Sequence, residues 1–179
     1  MIKCYLPIKV KVNITQGINS KGDGSHKPFP EAKFDDTYSI DFDLLVGTPI
    51  YSVLDGIVEK VVDNFNGNYS GDDWKKGYNA YLKTNYLVIK HKKGVYSLFN
   101  HIKYKGSMVK KNQKVKQGQL IAYSGNTGWS FLPHLHFSLF RKVEGLTRKT
   151  IPFTFFDYDK SLEDRYYVAK RRRLSNRQV

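Results

Sequence analysis

Apolar and polar residues alternate along much of this chain, with the period of two that marks strands. Ile8-Lys9-Val10-Lys11-Val12 alternates cleanly. So does Tyr38-Ser39-Ile40-Asp41-Phe42-Asp43-Leu44, which places Ile40 and Phe42 on one face and Asp41 and Asp43 on the other. Pro49 to Val53 and Ile57 to Val62 are two further β-rich runs, and the Asp55-Gly56 between them predicts a hairpin. A second hairpin is predicted from Tyr86–His91 and Val95–Ile102 across Lys92-Lys93-Gly94. Leu120–Tyr123 and His134–Phe140 read as strands separated by a Gly125-Asn126-Thr127-Gly128 turn. No amphipathic helix of twelve or more residues is readable; short helical pieces are expected near Asp72–Lys76 and after Ser161. The expected class is all-β, a small antiparallel sheet or barrel-sandwich core. Two long stretches, residues 14–37 and 64–84, break the pattern with Gly, Pro and interspersed aromatics. Loops of that length are expected to wall a substrate groove.

Composition narrows the class of protein. With 179 residues the chain suits one domain. Its single Cys4 excludes a disulfide framework and Cys-based zinc fingers. No apolar run approaches the roughly 20 residues of a membrane span, and no export signal is readable at the N-terminus. The formal charge is +14, which predicts attraction to polyanions such as nucleic acid, acidic membrane or an anionic cell wall. Six basic residues and no acid fall within the last fifteen, leaving 24 basic against 16 acidic residues, or +8, in residues 1–164. A single domain over residues 1–160 and a basic C-terminal tail over 161–179 are expected.

The densest candidate chemistry is Pro133-His134-Leu135-His136-Phe137. On a strand, residues two apart share a face, so both imidazoles reach one side while Leu135 and Phe137 face the core. Two imidazoles there suit a metal ion, or one ligand beside one proton shuttle; a bare His-x-His is also compatible with ordinary polar histidines.

Wider motifs add to this pair. Gly118-Gln119-Leu120-Ile121-Ala122-Tyr123-Ser124-Gly125-Asn126-Thr127-Gly128, followed after a short spacer by Pro133-His134-Leu135-His136-Phe137, resembles the C-terminal signature of the lysostaphin-type (LytM-type) zinc endopeptidases. Ser39-Ile40-Asp41-Phe42 with Gly47-Thr48-Pro49-Ile50-Tyr51 and Asp55-Gly56-Ile57-Val58 resembles their first motif. Asn85 to His91, Gly94-Val95-Tyr96 and Phe99-Asn100-His101-Ile102 resemble their middle strands. The resemblance spans roughly residues 16–140 and implies a duplicated-hybrid-motif fold with a long groove. It implies one zinc ion held by two His and one Asp, with Asp41 and His136 as ligands and His101 and His134 as the catalytic histidines. A three-ligand zinc with an open position is the catalytic type, able to acidify a bound water.

The chain departs from the commonest family pattern at the first His. The position four residues before Asp41 is Thr37, and the upstream candidate is His26, fifteen positions before Asp41. Gln16-Gly17 with Gly24-Ser25-His26 looks like the variant with a longer insertion before the Asp strand, which implies His26 as third ligand; the added loop length costs little entropy. The other reading is a solvated loop His and an incomplete site. Trp74 and Tyr78 are expected either to line the substrate groove or to anchor their loop, and Asn85 either to contact substrate or to hold a turn. Asp43 is expected to be solvated or turn-stabilising, and His91, beside Lys92-Lys93-Gly94, to be exposed.

The function implied is hydrolysis of peptide bonds in peptidoglycan stem or cross-bridge peptides, with anionic cell-wall polymer as a possible partner and the cell envelope or exterior as the place of action. The alternatives are a non-catalytic cell-wall-binding or regulatory module of the same fold and, with less support from the motifs, a nucleic-acid binder.

Overall fold

A computed structural model describes residues 1–18, 26, 28–29, 33–69 and 83–157. Within them the chain is a set of β-strands, and the one helical turn is a 3-10 turn at Lys92–Gly94. In chain order the strands are β1 (Ile2–Cys4), β2 (Ile14–Gln16), β3 (Pro28–Phe29), β4 (Phe34–Asp35), β5 (Ile40–Asp43), β6 (Pro49–Tyr51), β7 (Gly56–Val62), β8 (Asn68–Tyr69) and β9 (Tyr86–Lys90). They continue as β10 (Tyr96–Asn100), β11 (Ile102–Ser107), β12 (Lys114–Val115), β13 (Leu120–Ser124), β14 (Gly128–Trp129), β15 (His134–Val143), β16 (Leu146–Thr150) and β17 (Phe153–Phe155).

The main sheet runs β12-β7-β9-β10-β15-β16-β4-β3, with β5 joined to β15 and β2 to β5. A three-stranded sheet, β11-β13-β6, forms the second layer. Strand β15 is long enough to serve three neighbours. It pairs antiparallel with β10 over His136–Phe140, with β5 over His134–Phe137, and with β16 from Phe140 to Val143. Its inward residues Leu135, Phe137 and Leu139 are fully buried and meet Ile40 and Phe42 of β5 and Phe99 of β10 in the core. The rings of Phe99 and Phe153 each lie 5.4 Å from that of Phe137, a spacing at which aromatic pairs add to plain burial. This packing pins the register of β15, because a one-residue slip would turn every core side chain outward.

The all-β expectation holds, as does the Tyr86–Ile102 hairpin, seen as the antiparallel β9–β10 pair. Three local expectations do not. Residues 8–12 alternate yet lie outside every strand, with Ile8 buried and Val10 exposed; that stretch finds no ladder partner among the described residues. The predicted Asp55-Gly56 hairpin is instead a crossover between layers. Strand β6 pairs with β13, and β7 pairs with β9 and β12. The carboxylate of Asp55 accepts the Gln117 N–H and a Lys116 ammonium contact, so long-range partners shape the turn. His91 is buried rather than exposed: its Nδ1–H donates to the Asp55 carbonyl, and its Nε2 lies 2.8 Å from the Ser97 hydroxyl. The helical pieces expected near residue 72 and after 161, and the tail boundary at 161, lie outside the described residues.

Candidate active site

The pairing of β5 with β15 builds the centre of the site. In register, His136 stands opposite Asp41 on one side and opposite Asn100 of β10 on the other. Directly paired residues project to the same face, so the core alternation that buries Phe42 and Phe137 forces Asp41, His134 and His136 together on the opposite face. The spacing arguments for both strands are met there.

His136 Nδ1 lies 3.1 Å from Asp41 Oδ1, and His26 Nε2 lies 3.4 Å from the same oxygen. Nitrogen and oxygen ligands about 2.0–2.1 Å from a tetrahedral zinc sit about 3.3 Å from one another, so both separations suit a shared ion. The ligand atoms of His26, Asp41 and His136 all fall within 4.8 Å of one another. The tautomers suit as well. The Nδ1–H of His26 donates to the Ser39 carbonyl at 2.9 Å, since a carbonyl can only accept, so Nε2 is the nitrogen that faces Asp41, and it carries the lone pair when the ring is neutral. Despite its distance in sequence, His26, the histidine that the resemblance offered in place of Thr37, therefore stands beside Asp41. Thr37 itself donates its backbone N–H and its hydroxyl to Asp35, closing a local turn.

Two further histidines stand beside this group. The rings of His101 and His134 are 4.5 Å apart, and His134 Nε2 lies 3.9 Å from Asp41 Oδ1. Each is held by a carbonyl: His101 Nδ1–H donates to Thr127 O at 2.7 Å, and His134 Nδ1–H to Leu132 O at 2.7 Å. The chain leaves the main sheet at His101, which takes a left-handed φ of 61° between β10 and β11. Such backbone in a non-glycine residue is costly and needs support around it. Asn100 supplies part of this support by accepting the His101 N–H on its side-chain oxygen. The Gly125–Gly128 turn supplies the rest. A Cβ on Gly125 would meet the Lys103 backbone N at 2.6 Å, and one on Gly128, at φ +79°, the Thr84 side chain at 2.5 Å. Only glycine lets the turn press this close and deliver the Thr127 carbonyl to the imidazole.

Charge and burial act in opposition across the site. Burial raises the Asp41 carboxyl, but His26, His134 and His136 around it draw it well below the usual carboxylate range. Burial lowers His26, and the neighbouring Asp41 more than reverses this, so His26 holds its proton more firmly than an ordinary histidine. His101 is pushed well down by burial first and then by its neighbours His134 and His136, which keeps it neutral.

Of the expected substrate contacts, Asn85 directs its side chain to the backbone of Phe65. It is fully buried, accepts the Phe65 N–H on its side-chain oxygen and donates its amide to the Phe65 carbonyl, so it anchors the segment 65–69. Trp74 and Tyr78 lie outside the described residues. Sequence reasoning missed Asp36, Arg148, Thr127 and Ser130. Ser130 lies 3.0 Å from His134 Nδ1 and donates its hydroxyl to Leu132 O. It also missed the exposed pair Phe131 and Leu132, an apolar rim immediately before His134. A turn residue's carbonyl carries no signature in sequence, and Arg148 lies 112 positions from its partner Asp36.

The sequence model of peptidase family M23 matches residues 35–148, most of the chain. The chain belongs to that family. The matched segment contains Asp41, His101, His134 and His136, while His26 precedes it. Among M23 relatives, the chain is 34% identical over 137 residues to a protein of Vibrio cholerae named peptidoglycan DD-endopeptidase ShyA, covering 75% of this chain and 27% of that one. It is 38% identical over 100 residues to the glycyl-glycine endopeptidase ALE-1 of Staphylococcus capitis, covering 56% and 23%. In structure it resembles a zinc-containing peptidase from Vibrio cholerae, with a TM-score of 0.52 at 30% identity over 82% of this chain and 40% of that one. The chain thus spans about a quarter of the length of the curated M23 relatives it matches.

Proposed function

We propose that this chain is a zinc-dependent endopeptidase that hydrolyses peptide bonds in the stem or cross-bridge peptides of peptidoglycan. The observation that carries this reading is one cluster: a His26–Asp41–His136 donor set with ligand atoms within 4.8 Å, beside a His101–His134 ring pair 4.5 Å apart. M23 membership and the peptidoglycan endopeptidase names among the relatives support it.

Two imidazoles and a carboxylate are the donor chemistry of a catalytic zinc site, and when bound the ion would supply a Lewis acid and an acidified water. The protein's own groups manage the protons. His101, kept neutral with its Nδ1–H committed to Thr127, has its Nε2 lone pair available as a general base. His134, likewise fixed through Nδ1, is placed to donate from Nε2, in its protonated form, to the developing oxyanion or the departing amine. Asp41 stays ionised, which offsets the charge gathered on the surrounding imidazoles. In this reading the peptidase domain occupies residues 1–160, and the basic segment 161–179 draws the protein to anionic wall polymer.

The test is metal analysis of the purified protein together with a muropeptide assay, with and without chelator. One zinc per chain is expected, with hydrolysis that chelation removes and zinc restores. Hydrolysis indifferent to chelation would sink the reading. Absence of stoichiometric zinc at neutral pH would favour the non-catalytic wall-binding module instead.

A further inference from the structure

His136 has a second ring nitrogen that the donor set does not use. Nε2 is buried, and no hydrogen-bond partner lies within range of it. Facing it at 3.6 Å is Oδ2 of Asp36, a carboxylate only 2% exposed. Asp36 is held rigidly. Arg148 of β16 donates from Nε to Oδ1 and from Nη2 to Oδ2, both at 3.1 Å, in the two-pronged geometry that suits a planar guanidinium. The guanidinium in turn lies 3.8 Å over the Phe34 ring, on the strand paired with its own. Ser39 donates its hydroxyl to Asp36 Oδ1 and its N–H to the Asp36 carbonyl, and the Ser39 carbonyl receives the Nδ1–H of His26. One turn, residues 36–39, therefore addresses the back of both imidazoles whose front atoms approach Asp41.

We propose that Asp36, clamped by Arg148, is a positioning residue for the metal site: its carboxylate faces Nε2 of His136 as a charge partner at 3.6 Å and so favours the tautomer that carries the proton on Nε2 and presents Nδ1 to the ion. The inference rests on the metal reading above. A carboxylate behind a ligand histidine orients the ring and raises its basicity, and removing one costs about 10–100-fold in metal affinity. Arg148 sets Asp36 from β16, the strand paired with β4, and the turn carries the same constraint through Ser39 to His26.

The deciding experiment is zinc titration of the full chain against a chromophoric chelator, for the unchanged protein, Asp36→Asn, Arg148→Lys, and the double variant Asp36→Leu with Arg148→Met. Asp36→Asn is expected to weaken zinc about 10–100-fold, to alter the cobalt(II) absorption spectrum, and to shift the His136 tautomer read by nitrogen NMR. Arg148→Lys is expected to weaken zinc less, because it keeps the charge and loses the fork. The double variant removes both buried charges together, so it guards against simple misfolding. It is expected to regain thermal stability without regaining zinc affinity. Wild-type affinity in Asp36→Asn, or affinity that returns with stability in the double variant, would overturn the role given to Asp36. An unchanged chain that takes up no zinc would overturn the metal reading itself.

Discussion

His91 and His136 are both buried histidines on neighbouring parts of one sheet, and they differ in what is left over. At His91 each ring nitrogen has a protein partner, the Asp55 carbonyl and the Ser97 hydroxyl, 2.9 and 2.8 Å away. At His136 one nitrogen approaches a carboxylate shared with His26 and His134, and the other faces Asp36 just beyond hydrogen-bond range. Burial alone does not separate a structural imidazole from a chemical one. The distinction lies in whether the partners saturate the ring or converge on a common point that one ion could fill.

The sharpest way to break that contrast is to remove one histidine from each region. His136→Ala is expected to abolish stoichiometric zinc and to lower muropeptide hydrolysis by more than the roughly 100-fold of an outer-shell loss, whereas His91→Gln should keep its zinc; metal analysis with the hydrolysis assay reads both. His101→Ala is expected to retain zinc while kcat falls about 10²–10⁴-fold, the usual worth of a general base. Loss of zinc together with kcat would move His101 into the ligand set. Asn85→Ala strips both partners from the Phe65 backbone. A loss of about 1–3 kcal/mol in urea unfolding is expected, with zinc content unchanged.

Acid titration separates the regions more gently. Burial depresses His91 below its ordinary 6.5, so as pH falls the unfolded chain takes up the proton first. The stability His91 contributes is therefore complete above about 6.5 and drains away as pH drops through that value towards the folded pKa. His91→Gln in the metal-free protein is expected to flatten the loss of urea midpoint over that window. The smallest effect belongs to the exposed Lys142–Glu59 pair at 2.9 Å. Glu59→Gln should cost less than about 1 kcal/mol and fade with salt.

How much of this was legible varies by residue. The strand phases at Ile40–Asp43 and His134–Leu139 were readable because apolar and polar residues alternate there, and those phases already place Asp41, His134 and His136 on one side. His26 was readable only through resemblance, as a His standing in for the position of Thr37. The Asp55-Gly56 signal misled because the turn's partners, Lys116 and Gln117, lie 61 and 62 residues away. His91 was misassigned for the same kind of reason: it is satisfied by a segment that spacing does not identify.

The sequence by itself determined the all-β class and the chemistry that one face of β5 and β15 would carry, since strand period and residue type are local properties. Only the tertiary structure decided that β5 lies beside β15 with Asp41 opposite His136, and that a histidine fifteen residues upstream reaches the same carboxylate. It likewise decided that Arg148 stands behind Asp36. These are pairings across the sheet, and core packing chooses them through contacts that no local pattern records.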